Sequence, residues 1–180
     1  MHIITLLSSG GVHSRYNQLK GLMQGAVADG CKKLRLHVLT DGRDVPDGTS
    51  REYMSTLVND LAALEGCDAK VASGGGRMKV TMDRYEADWA MVERGWKAHV
   101  LGEAPNKFTD PIEGLKKLKE GGDSDQYLEP FVIVDDDGKA VGTVEDDDAV
   151  VIANFRADRV VEISKAFEYP DFKGFDRVRF

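Results

Sequence analysis

IITLLSSGGVHSRYNQLKGLMQGAVADGCKKLRLHVL, residues 3–39, decides the fold. Its two ends, 3–8 (IITLLS) and 33–39 (KLRLHVL), are short apolar or alternating runs bounded by glycine and charge, which reads as two strands. Between them Leu19, Leu22, Met23, Ala26 and Val27 recur at three- and four-residue steps, the period of a helix with one buried face. Ser14 is placed to cap that helix and Gly30 to end it. Strand, helix and strand in that order form a right-handed crossover between parallel strands.

The same grammar continues outward. Thr49 and Glu52 have capping-box spacing ahead of a helix through Tyr53, Leu57, Leu61 and Leu64 to Gly66, and 68–73 (DAKVAS) reads as a third strand. After Gly74–Gly76 comes a helix carrying Trp89, Val92, Trp96 and Val100 on one face, with Asp83 and Glu86 spaced as its cap. Asp110-Pro111 opens a fourth helix, which Gly121-Gly122 stops. Residues 131–144 (FVIVDDDGKAVGTV) carry a hairpin signal with Asp137-Gly138 in the turn, and a strand over 149–154 leads into a last helix from about 157 to 167. The expected architecture is α/β: a mostly parallel sheet with helices on both faces, an antiparallel hairpin at about 131–144, and one domain over 1–180. No internal repeat is evident. The acidic runs 135–137 and 145–148 read as solvated tips rather than a metal site, for which carboxylates must converge from separate elements.

Composition narrows the partners. A net charge of -7 argues against a nucleic-acid or membrane-surface partner, because either needs a field of Lys and Arg over one face. Cys31 and Cys67 lack the spacing of a zinc or redox pair and read as reduced thiols. No apolar run approaches the roughly 18 residues of a membrane span, and no signal peptide is indicated, so a soluble, reducing, cytoplasmic setting is expected.

In a parallel sheet, ligands sit beyond the carboxyl ends of the strands. The residues that follow each strand here are SSGGVHS with His13, TDGRD with Arg43 and Asp44, GGGRMKVTMDR with Arg77 and Arg84, and NFRADR with Arg156 and Arg159. All four segments are expected to open on one edge. Any one of these arginines reads as an ordinary surface charge, but five converging in an acidic chain reverse the local charge, and guanidinium forks match phosphate and carboxylate oxygens. Asp44, among guanidiniums, is read as a carboxylate able to accept a proton from a substrate hydroxyl, and His13 as a partner of the same hydroxyl or of a phosphoryl group. A phosphorylated hydroxy acid is the ligand class that uses this set. Asp41 and Asp44 could alternatively touch one magnesium ion in a phosphatase, a reading weakened by the lack of a nucleophile motif.

Four ordered motifs, SSGGVHS (8–14), DGRDVPDG (41–48), GGGRMKVTMDRYEADW (74–89) and NFRADR (154–159), resemble the cofactor-independent phosphoglycerate mutases, above all their plant and protist-type branch. The likeness covers nearly the whole chain. It implies a member of the alkaline phosphatase superfamily that interconverts 3-phosphoglycerate and 2-phosphoglycerate in glycolysis through a phosphoserine, with two divalent ions, usually manganese. In that family a phosphatase domain holds the serine and the metals, and an inserted phosphotransferase domain grips the glycerate. The match assigns His13, Arg43, Asp44, Arg77, Arg84, Arg156 and Arg159 to the substrate set of the inserted domain, with Asp44 and His13 in the catalytic roles and no metal ligand.

Nothing in these 180 residues matches the serine or the metal ligands, so the phosphatase domain is expected to be a partner within the same protein and the isolated chain to bind without turnover. A monomer is expected. Ser9 departs from the family's first motif, which usually carries an acidic residue there. A stand-alone anion-binding module is the competing reading, for which Ser9 is the one hint.

Overall fold

In the computed structural model, which describes residues 1–179, six strands form one sheet: β1 (His2–Leu7), β2 (Lys33–Thr40), β3 (Asp68–Gly76), β4 (Asn106–Phe108), β5 (Phe131–Ile133) and β6 (Val150–Ile152), in the order β4-β5-β3-β2-β1-β6. β6, β1, β2 and β3 run parallel, and β4 is parallel to β5. The antiparallel pair is β3 with β5, through Ser73–Val132 and Gly74–Phe131.

Alternation along the central strands divides the core between the two faces. On one face Ile3, Leu7, Leu34, Leu36 and Val38 pack with Leu19 and Met23 of α1 (Tyr16–Ala28), Met54, Leu57 and Leu61 of α2 (Ser50–Ala62), and Leu115 of α4 (Pro111–Lys119). Separate from that core, Val92 and Trp96 of α3 (Trp89–Trp96) and Val100 of the π-helical turn Lys97–Leu101 pack with Ile163 and Ala166 of α5 (Val161–Glu168).

Helix starts are where local spacing misleads. Ser14 donates to the Leu6 carbonyl instead of capping α1. The Thr49–Glu52 capping box does not form: Thr49 Oγ1 donates to Pro46, and the buried carboxylate of Asp125, distant in sequence, accepts from the backbone of Gly48 and Ser50 and from Ser50 Oγ. α3 is capped by Asp88, which accepts from Met91 N, and not by Asp83. Asp110 caps α4 with Pro111 in the first turn, as the spacing predicts. The hairpin over 131–144 is reduced to its turn plus one bridge, Val134–Ala140, because β5 is already hydrogen-bonded on both sides by β3 and β4. β4, an edge strand of three residues with no apolar alternation, is not foreseen by pattern, and the last helix splits into a 3₁₀ turn (Ala157–Arg159) and α5.

All four histidines are buried, and their pKa values lie below the ordinary range. Burial is the leading cause in each, and it takes His99 down to about 3. The unfolded chain therefore binds protons below about pH 6.5 that the folded chain does not, so stability is retained above that pH and falls as the pH drops. The fully buried His37 and His99 should each remove about 1.4 kcal/mol per pH unit below about pH 6. Glu162, raised by burial and by the neighbouring Asp83, opposes them as one group against four. Urea unfolding at pH 7.5, 6.0 and 5.0 checks this, and equal midpoints at the three values would contradict it.

Candidate active site

The carboxyl ends of β1, β2, β3 and β6 open on one edge, and the segments that follow them are interlocked by close contacts. A Cβ on Gly10 would lie 2.5 Å from the Asp44 carbonyl oxygen, so only glycine lets the first segment rest on the second. Arg77 N donates to the Thr40 carbonyl at 3.1 Å, which ties the third to the second. Phe155 N donates to the His13 carbonyl at 2.9 Å, and Arg159 Nη1 donates to the Met82 carbonyl at 2.8 Å. These last two bonds fasten the segment after β6 to the first and the third.

Asp41 organises the centre. It is 1% exposed and accepts from Ser8 Oγ at 2.5 Å, from Arg77 Nη1 at 2.7 Å, and from the backbone of Arg43 and Asp44 at 3.2 and 3.1 Å. Arg77, 2% exposed, uses the same Nη1 to reach Asp44 Oδ2 at 2.7 Å, so one guanidinium bridges two carboxylates. Its Nε is buried without a partner among the described residues. Asp44 Oδ1 also carries no hydrogen bond among the described residues. Asp41, which the sequence suggests only as a possible magnesium ligand, is thus the organising carboxylate, and an Asp two and three residues ahead of backbone donors is the local signal for that role.

His13 is 2% exposed, and its Nδ1 is buried with no partner among the described residues. Burial and then the charge of Arg77 push its pKa down, against the pull of Asp44, so the ring is neutral at neutral pH. Arg159 is buried, and burial together with Arg84, Arg77 and Arg43 lowers its pKa. The guanidiniums of Arg84, Arg77 and Arg43 thus all lie within range of Arg159. Arg156 pairs with Asp158 at 2.8 Å, and Arg84 lies 3.7 Å from the other oxygen of that carboxylate. Arg43 is exposed and makes no side-chain ion pair among the described residues. Asp158, within the NFRADR motif but not singled out from sequence, is the clasp between the third and fourth segments.

Of the five guanidiniums, Arg77, Arg84 and Arg156 pair with Asp41, Asp44 and Asp158, while Arg43 and Arg159 have no carboxylate partner among the described residues, a local surplus of positive charge in a chain of net charge -7. An edge of this kind can take a ligand bearing both a phosphate and a carboxylate, since a phosphomonoester alone carries about -1.5 to -2 at neutral pH. Asp41 and Asp44 are not disposed as metal ligands, because both are turned onto Arg77. Among the described residues, no three His, Cys, Asp or Glu side chains converge to hold an ion.

The family model for the BPG-independent PGAM N-terminus matches residues 1–180. A 2,3-bisphosphoglycerate-independent phosphoglycerate mutase of Nicotiana tabacum is 62% identical over 182 residues, covering 99% of this chain and 33% of the tobacco protein. One from Trypanosoma brucei brucei is 56% identical, with 99% and 33% covered. A crystal structure of Leishmania mexicana phosphoglycerate mutase at low cobalt concentration superposes with a TM-score of 0.97 at 54% identity, over 99% of this chain and 33% of that one. The chain thus spans about a third of the length of the curated relatives it matches.

Proposed function

The chain belongs to the family of the BPG-independent phosphoglycerate mutase N-terminus, and on that premise we propose that residues 1–180 are the phosphotransferase domain of a glycolytic enzyme interconverting 3-phosphoglycerate and 2-phosphoglycerate. In this reading Arg43, Arg77, Arg84, Arg156 and Arg159 hold the carboxylate and phosphate of the glycerate. Asp44 accepts the proton of the glycerate hydroxyl through Oδ1 as the new glycerate oxygen–phosphorus bond forms and the serine oxygen–phosphorus bond breaks, the serine oxygen leaving in the phosphatase domain, and it returns the proton in the reverse direction. Neutral His13 supplies a hydrogen bond to the same hydroxyl or to the phosphoryl oxygens.

The phosphate-carrying serine belongs to a phosphatase domain of the same, monomeric, cytoplasmic protein. There two divalent ions, manganese by family resemblance, would activate that serine. The residues of this chain do not fit those ions, and no step on this chain runs through them. The observation that carries the reading is the Arg77 bridge, which leaves one oxygen of Asp44 unbonded beside a surplus of guanidiniums.

Calorimetric titration of the chain with 3-phosphoglycerate is expected to show one-to-one binding that weakens as salt is raised. Glycerol 3-phosphate, which lacks the carboxylate, should bind at least about tenfold more weakly, since hydrogen bonds to charged groups are worth roughly 1.5–3 kcal/mol. Equal affinity for the two ligands would remove the basis for a glycerate grip. Interconversion by the purified chain with no phosphatase domain present would overturn the division of labour.

A further inference from the structure

From the amino end of β1, a continuous string of polar side chains, all buried except the partly exposed Asp148 at its start, crosses β1, β2 and β3 and ends on the segment that carries Arg84. Asp148 Oδ2 lies 3.1 Å from His2 Nε2, His2 Nδ1 lies 2.9 Å from His37 Nε2, and His37 Nδ1 lies 2.7 Å from Ser73 Oγ. Ser73 Oγ is in turn 2.7 Å from His99 Nδ1, and His99 Nε2 is 2.9 Å from Thr81 Oγ1. His37, Ser73, His99 and Thr81 are all 0% exposed.

The proton positions along this string follow from its ends. A carboxylate only accepts, so His2 Nε2 donates to Asp148. A neutral imidazole has one donor and one acceptor, so His2 Nδ1 accepts from His37 Nε2, and His37 Nδ1 accepts from the Ser73 hydroxyl. Ser73, having spent its proton, accepts from His99 Nδ1. That leaves His99 Nε2 to accept from the Thr81 hydroxyl. Burial keeps the rings neutral, and Asp148 is held ionised, against partial burial, by the Glu145 backbone N–H and by His2.

Thr81 is an unusual terminus. It is β-branched with φ at +67°, in the left-handed region that such residues avoid, and its hydroxyl sits where a side chain on Gly95 would collide with it. Its backbone N–H donates to Met91 at 3.0 Å. The next residue, Met82, supplies the carbonyl that holds Arg159, and Arg84 follows two residues later. We propose that the one-way relay from Thr81 through His99, Ser73, His37 and His2 to Asp148 fixes the Thr81 turn, making these residues positioning elements for Arg84 and Arg159.

The affinity consequence rests on the mutase reading; the tautomers and the turn conformation do not. In the ¹⁵N-labelled chain at pH 7, His2 and His37 should carry their proton on Nε2 and His99 on Nδ1. Thr81→Val, which keeps the shape and drops the hydroxyl, should shift the amide resonances of 82–84. In the two-domain enzyme it should raise KM for 3-phosphoglycerate about five- to twentyfold while kcat stays within threefold. Thr81→Ser, which restores the donor, should return KM to within twofold of wild type. A His99 protonated on Nε2, or on both nitrogens, overturns the relay even if Thr81→Val fails to fold. Unchanged 82–84 resonances in a folded Thr81→Val overturn the positioning role. Should the wild-type enzyme prove inactive on 3-phosphoglycerate, the mutase reading falls while the tautomer and resonance results still decide the relay.

Discussion

Replacing Arg77 with methionine is expected to cost about 3–5 kcal/mol of unfolding free energy and to abolish measurable binding of 3-phosphoglycerate. The side chain is 2% exposed, and its Nη1 is the shared donor to Asp41 and Asp44 at 2.7 Å each. Methionine fills much of the volume but leaves two carboxylates with no cation, one of them 1% exposed. Removing one partner of a buried ion pair is far more costly than never having built the pair, because the surviving charge keeps its desolvation penalty.

The size of the effect therefore belongs to Asp41 as much as to Arg77. Adding Asp41→Asn to Arg77→Met should recover part of the lost stability, since the buried anion is then gone, while binding stays lost. Thermal and urea unfolding of the two single variants and the double variant form the cycle that measures this coupling. A loss below about 1 kcal/mol in Arg77→Met would show that the bridge is not what holds the second and third segments together.

How far the molecule can be read from its sequence depends on whether a residue acts locally or at a distance. The crossover over residues 3–39, the Pro111 helix start and the four strand ends were legible because period and punctuation are properties of neighbouring residues. The convergence of His13, Arg43, Arg77, Arg84, Arg156 and Arg159 on one edge followed from parallel topology alone. What could not be read were long-range carboxylates. Asp125 reaches back to the first turn of α2 and displaces the capping box that Thr49 and Glu52 spell out. Asp158 clasps Arg84 from the far end of the chain. The histidine string is invisible for the same reason: His2, His37, Ser73 and His99 are unremarkable in their own segments and meaningful only once β1, β2 and β3 lie side by side.

On the proposed mutase reading, Asp44→Asn in the full-length protein should lower kcat by about 10²- to 10⁴-fold while changing the affinity for 3-phosphoglycerate only a few-fold. Asparagine keeps the shape of the side chain and can still accept from Arg77 Nη1 through its amide oxygen, so the bridge to the third segment survives. The amide is too weak a base to take the hydroxyl proton, and the step that needs an acceptor loses it.

Asp41 cannot stand in. Its two oxygens are already committed to Ser8 Oγ, Arg77 Nη1 and two backbone N–H groups, and it is 1% exposed, whereas the Asp44 side chain is 10% exposed with Oδ1 unbonded among the described residues. His13 cannot stand in either without a cost, because burial and the charge of Arg77 both oppose its taking up a proton. Single-turnover kinetics separate chemistry from binding here. If Asp44→Asn retained more than a tenth of the wild-type rate with binding intact, the proton would have to leave by another route, and Asp44 would be reduced to a partner of Arg77.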